Sequence, residues 1–218
     1  AAPPPLDLVD GSSVLDIGSG YGSFVLHAAL HHPLVQFVGI ELKQSAYQAS
    51  LDTLRQLQEL RRQEGHPSLD NVTFYHGEAG AVIKKEKLSF SHIYAFDYCF
   101  DYYRDDEGYT DDLIDALDNM PFKIFCSATR KPFWDMFEMD LREVHFGEGC
   151  QNGITAYISR SGEHHRMYFY QKKAKPSKSL HNVLKLIGKV VPLLRPKDRI
   201  LFYREMVKQH LDEQAASL

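Results

Sequence analysis

The chain has 218 residues, 44% of them apolar and 25% charged, with a formal net charge of −4. That composition excludes a disordered chain and fits one soluble domain, alone or with a small appendage. The longest apolar run, Leu180 to Leu194, is interrupted by Lys185 and Lys189, so it falls short of the roughly 20 residues that a membrane span needs.

Residues 1–10 (AAPPPLDLVD) have neither the basic start nor the apolar centre of a signal peptide. Runs of four to seven apolar residues then alternate with longer amphipathic stretches. This alternation predicts an α/β domain built on a mostly parallel sheet. Strands are expected at 13–17, 36–41, 72–76, 92–98 and 122–127, all rich in β-branched and aromatic residues. Helices are expected at about 22–31, 45–64 and 110–119. The second has the plainest stripe, with Ala46, Ala49, Leu54, Leu57 and Leu60 at helical spacing. Past residue 140 the segments 141–146, 154–159 and 167–171 follow one another without long helices, and SRSGEHHR reads as a hairpin turn. An antiparallel edge on the parallel sheet is therefore expected. Pro176 and Pro196 then punctuate two helices, near 179–194 and 197–213.

Asp16-Ile17-Gly18-Ser19-Gly20-Tyr21-Gly22 follows the first strand directly and precedes a helix. Glycines there let the backbone turn sharply and approach a ligand, and the helix that follows presents free N–H groups. The second strand ends in Glu41, 19 residues after Gly22. A carboxylate at that point is placed to accept from both ribose hydroxyls of an adenosine. Dinucleotide dehydrogenases and S-adenosylmethionine (SAM) methyltransferases share this plan. Asp16 separates them: it would meet the ammonium of a methionine moiety, but it would repel a pyrophosphate. Gly77-Glu78-Ala79 after the third strand adds a carboxylate for an adenine amino group.

This set resembles the class I SAM-dependent methyltransferases: V-L-D-I-G-S-G-Y-G, then G-I-E, H-G-E-A and F-D-Y. A Rossmann-like, seven-stranded, mostly parallel sheet with an antiparallel late hairpin is implied, followed by C-terminal helices. Within that superfamily, D-I-G-S-G-Y-G-S-F-V-L resembles the first motif of the disruptor-of-telomeric-silencing family of non-SET histone lysine methyltransferases. I-Y-A-F-D-Y-C-F (93–100) is similar to its N-N-F-A-F loop, S-A-T-R-K-P-F (127–133) to its S-S-K-P-F, and residues 159–170 to its late strand pair. The likeness implies that Asp16, Gly18, Gly20, Gly22, Glu41, Glu78 and Ala79 bind SAM. It also implies that Asp97 and Tyr98 are catalytic and that Phe96, Phe100 and Phe133 line a substrate channel. Asp97 stands where the family has asparagine, and only 12 residues precede Ser13, whereas the family places cofactor-contacting segments ahead of the first motif.

The function so implied is methyl transfer from SAM to a protein lysine, on a chromatin or other nucleic-acid-associated protein. An RNA methyltransferase and a non-catalytic SAM-binding module are the alternatives. Charge sharpens the choice of partner. Residues 1–171 carry −11, residues 172–208 carry +9, and the last ten carry −2. A boundary is therefore expected between a methyltransferase domain, 1–173, and a basic helical extension, 174–218. Lys172, Lys173, Lys175, Lys178, Lys185 and Lys189 would contact a nucleic acid. The acidic run Asp101, Asp105, Asp106, Glu107, Asp111, Asp112 and Asp115 reads either as a rim attracting a basic peptide or as a helix N-terminus favoured by its dipole. Three unevenly spaced cysteines (Cys99, Cys126, Cys150) suit neither a disulfide framework nor a metal site. An intracellular location, nuclear or cytoplasmic, is expected.

Overall fold

The computed structural model describes residues 8–100, 109–145, 153–157 and 164–172. Strands β1 (Ser13–Ile17), β2 (Gln36–Glu41), β3 (Val72–His76), β4 (His92–Ala95), β5 (Ile124–Ser127), β6 (Leu141–Val144), β7 (Ile154–Tyr157) and β8 (His164–Lys172) alternate with five helices. These are α1 (Ser23–His31), α2 (Gln44–Gln63), α3 (Ala79–Glu86), α4 (Tyr109–Asn119) and α5 (Lys131–Met136), and a single 3-10 turn, Asp97–Cys99, follows β4. The sheet order is β3-β2-β1-β4-β5-β8-β6, with β7 paired to β8 off this path. Strands β1 to β5 are mutually parallel, and β8 runs antiparallel to both β5 and β6. The strand order reverses between β1 and β4, which opens a crevice at their carboxyl ends, where ligands bind in such sheets.

Alternation along each strand assigns the two faces. Leu15, Ile17, Ile93, Ala95, Phe125, Tyr168 and Tyr170 share one core with Ile83 of α3, Leu113 and Leu117 of α4, and Trp134 of α5. On the opposite face Val14, Phe37, Val72 and Phe74 meet Val25, Leu26 and Ala29 of α1 and Leu54 of α2. A third cluster, Ile124, Cys126, Met167 and Phe169, continues that second face under β5 and β8.

The late segments form the expected antiparallel edge: β8 lies between β5 and β6, and it exchanges partners, Val144 of β6 opposite Phe169 and Ile154 of β7 opposite Met167. Two expectations change. The fourth strand ends at Ala95 rather than residue 98, because Phe96 leaves the extended region (φ −86, ψ 71) and starts the 3-10 turn. The α2 stripe buries Ala46 and Leu54, but Leu60 is exposed in the final turn. Helices α3 and α5 were not anticipated. They have 8 and 6 residues, too few for an apolar period to stand out. Of the expected turn SRSGEHHR, His164, His165 and Arg166 belong to β8, paired with β7; the rest of that turn, the two C-terminal helices and the basic extension lie outside the described residues.

Candidate functional site

The glycine-rich loop is built on backbone conformation. Gly18, Gly20 and Gly22 have φ of 72, 55 and 76, in the left-handed region that side chains disfavour. Gly22 caps α1 in that conformation. The Gly18 and Ser19 N–H groups both donate to the Ile40 carbonyl, at 2.9 and 3.0 Å, which ties the loop to the end of β2.

Three carboxylates stand at or just past the carboxyl ends of β1, β2 and β3. Glu41 accepts from Gly20 N–H and from Lys43 N–H, each at 2.7 Å. Those bonds use two of about four lone-pair sites and leave the others for two hydroxyls of a ligand. Glu78 caps α3, accepting from the Gly80 N–H at 2.7 Å and from the Ala81 N–H, with Ala79 opening the helix. Asp16 differs from both. It is 3% exposed, and among the described residues no donor reaches its carboxyl. Burial, followed by the charge of Glu41, pushes it up to about 8. A buried carboxylate without a donor suits a cationic ligand group, which restores its ionised form.

The second part of the site follows β4. Asp97 is 2% exposed and accepts at both oxygens, from Ser127 Oγ at 2.7 Å and from Ala128 N–H at 2.8 Å. Ser127 Oγ in turn accepts from Thr129 N–H at 2.8 Å, and the Thr129 carbonyl accepts from Tyr170 Oη at 2.7 Å. The carboxylate thus fastens the turn after β4 to the loop after β5. Tyr98 is 65% exposed. Its ring lies 4.8 Å from that of His165, edge-on, and 6.3 Å from that of Phe96, nearly parallel. His165 is buried and also meets Phe96 edge-on at 5.0 Å. It supports the aromatic group from β8, and an adjacent His-His pair gave no hint of that.

The three aromatics expected in a channel do not share one surface. Phe100 lies against Gly18, so near that a Cβ there would stand 2.6 Å from the ring. Phe96 packs on the cluster under β5 and β8, on the other face from Phe133. Phe133 is buried beside Trp134 and Phe137, at 4.9 Å from each. Part of the acidic run is also engaged, since Asp112 and Asp115 both pair with Lys84 of α3 at 2.7 and 3.0 Å. Lys172 donates to the Asp118 carbonyl and lies over the Phe122 ring, which places it at the end of α4. Lys173, Lys175, Lys178, Lys185 and Lys189 lie outside the described residues. Among the described residues no group of His, Cys, Asp or Glu has an arrangement that would hold a metal, and no helix is long and apolar enough to cross a membrane.

Residues 10–94 match the model of a family described as "Putative methyltransferase". Among solved structures, the methyltransferase domain of a bacterial Hen1 is similar at 14% identity and a TM-score of 0.50, over 76% of this chain and 91% of that one. The precorrin-6y C5,15-methyltransferase of Geobacter metallireducens has 14% identity and a TM-score of 0.48, over 78% and 83%. A Streptococcus pneumoniae protein described as a "putative tRNA (m1A22) methyltransferase" has 13% identity and a TM-score of 0.48, over 95% and 84%. No curated protein matches the sequence. The chain shares the Rossmann-like fold of that bacterial Hen1 methyltransferase domain, and its first strands and glycine-rich loop fall within the residues that match the methyltransferase family model. None of these comparisons singles out the histone lysine family.

Proposed function

We propose that this protein transfers a methyl group from SAM to the side-chain nitrogen of a protein lysine. The observation that carries this reading is the pairing, at one carboxyl edge, of a cofactor loop with a turn that bears a buried carboxylate, Asp97, and next to it in the chain an exposed aromatic ring, Tyr98. Phe100 touches Gly18, so the turn bearing Asp97 and Tyr98 adjoins the loop that holds the cofactor. When bound, SAM supplies a methyl group already activated on a sulfonium. The chain's own task is alignment and charge.

Asp16 receives the ammonium of the methionine end, Glu41 the ribose hydroxyls, and Glu78 the adenine amino group. Asp97 is the positioning residue on the acceptor side, because its oxygens hold both flanking loops in place. Its buried negative charge also lowers the cost of bringing a cation to the mouth. The exposed face of Tyr98 takes the aliphatic stem and cationic tip of the lysine. The −11 charge of residues 1–171 draws a basic segment toward that edge. The lysine ammonium must lose a proton before attack, and the exposure of the Tyr98 ring leaves solvent in reach to take it.

The test is to incubate the purified chain with SAM labelled on its methyl group and a whole-cell extract, then to separate protein from RNA. Label recovered as methyl-lysine after protein hydrolysis is expected. Label confined to RNA would replace the acceptor with a nucleic acid, for which the +9 segment 172–208 would serve as a grip. Cofactor binding with no label in any fraction would leave a non-catalytic SAM-binding module.

A further inference from the structure

Ser19 sits inside the glycine-rich loop, and the loop's backbone accounts for the glycines around it without accounting for this side chain. It is 8% exposed. Its Oγ is buried and finds no hydrogen-bond partner among the described residues. Leaving such a hydroxyl unmade costs about 1–3 kcal/mol, so the position calls for a ligand or a water that the protein does not itself supply.

The register shows what stands beside it. Asp16 pairs with Gly39 of β2 on one side and with Tyr94 of β4 on the other, so these three positions share a face. Gly39 has no side chain, and a Cβ there would lie 2.7 Å from Ser19 Oγ. The hydroxyl therefore occupies the space above Gly39, about one strand spacing, roughly 5 Å, from the Asp16 side chain. The remainder of that space is closed by the Phe74 ring, 2.6 Å from the same Cβ position, which offers no hydrogen bond. A carboxyl without a donor and a hydroxyl without a partner thus lie beside one another on one face of the sheet, at the glycine-rich loop. A group with several N–H donors on one atom satisfies both together, and an ammonium has three.

We infer that Ser19 is a second ligand of the cofactor's methionine ammonium, accepting one of its N–H bonds through Oγ while Asp16 accepts another. Gly39 is what makes this possible, since any side chain at that position would displace the hydroxyl. The loop then reads the amino-acid end of the cofactor through side chains, as it reads the rest through its backbone.

Calorimetric titration of the full chain with two ligands tests this. S-adenosylhomocysteine carries the amino-acid end, and 5′-methylthioadenosine lacks it. Ser19→Ala is expected to weaken S-adenosylhomocysteine about tenfold, in keeping with a hydrogen bond to a charged group, and to leave methylthioadenosine within twofold. Asp16→Asn is expected to show the same selectivity with a larger loss. Unchanged affinity of Ser19→Ala for S-adenosylhomocysteine would overturn the inference and give the hydroxyl to water. Equal weakening of both ligands would also overturn it, because Ser19 would then serve only the shape of the loop.

Discussion

The two halves of the site are built from different materials. Around β1, β2 and β3 the ligand-facing features are backbone conformations and strand ends: three left-handed glycines and carboxylates at the ends of β2 and β3. Around β4, β5 and β8 they are side chains brought together from distant strands. Asp97 meets Ser127, and Tyr98 meets His165. On the proposed reading the first half takes the cofactor, with parts that local sequence dictates. The second depends on how β8 inserts between β5 and β6, and the proposal assigns acceptor choice to it.

The largest effect expected falls on the second half. Asp97→Ala removes the acceptor for both Ser127 Oγ, which is buried, and Ala128 N–H, which is half-buried, at about 1–3 kcal/mol for the buried donor. Methyl transfer is expected to fall below detection while S-adenosylhomocysteine affinity stays within a few-fold. Asp97→Asn keeps the size and one acceptor oxygen, so it should retain the fold and part of the turnover. Initial rates with labelled SAM, read beside thermal melts, separate the two variants. If Asp97→Ala turns over at the rate of the unaltered chain, the two halves are not coupled through this carboxylate.

Next in size is a pH effect confined to the first half. The Asp16 carboxyl is raised from 3.8 to about 8, so the folded chain binds a proton there that the unfolded chain releases. The resulting stabilisation is full below pH 3.8 and is lost as pH rises toward 8, by up to about 1.4 kcal/mol per pH unit. Cofactor binding runs the opposite way, since the ammonium favours the ionised carboxylate and affinity should rise with pH up to about 8. Asp16→Asn is expected to flatten the stability profile and to weaken S-adenosylhomocysteine at every pH. Melting curves across pH 5 to 9, with and without S-adenosylhomocysteine, read both effects, and the variant cancels titration of the ligand itself.

Legibility in the sequence divides along the same line. The strands of the first half are found at the expected residues because their apolar runs are short and bounded by turn residues, and the glycine spacing survives because each glycine there has a positive φ. Asp16, Glu41 and Glu78 were legible as carboxylates at strand ends. Their present partners were not, since helix capping by Glu78 depends on α3, which is too short to show a period. In the second half, composition identified the aromatics without their facing. Phe133 and Phe96 are on opposite sides of the sheet because β4 ends two residues before Asp97, and Phe133 belongs to a short helix begun by Lys131 and Pro132. His165 was invisible as a site residue because its neighbours, Phe96 and Tyr98, come from the turn after β4, 67 to 69 positions earlier.

A smaller contrast lies within the glycine loop itself. Gly18 and Gly20 both have positive φ, so alanine at either costs roughly 1 kcal/mol in backbone strain. At Gly20 nothing lies within 4 Å of the added Cβ, whereas at Gly18 the Phe100 ring stands at 2.6 Å. Gly20→Ala should therefore show the backbone cost alone. Gly18→Ala must also displace Phe100 and with it the turn that bears Asp97 and Tyr98. The expected signature is a melting temperature only slightly lower for Gly18→Ala than for Gly20→Ala, together with a several-fold greater loss of transfer rate. Double substitution with Phe100→Leu should recover part of that rate, because a smaller side chain admits the new methyl group. If Gly18→Ala and Gly20→Ala lose rate equally, and Phe100→Leu restores nothing, then the contact between loop and turn is only packing, and the halves of the site work independently.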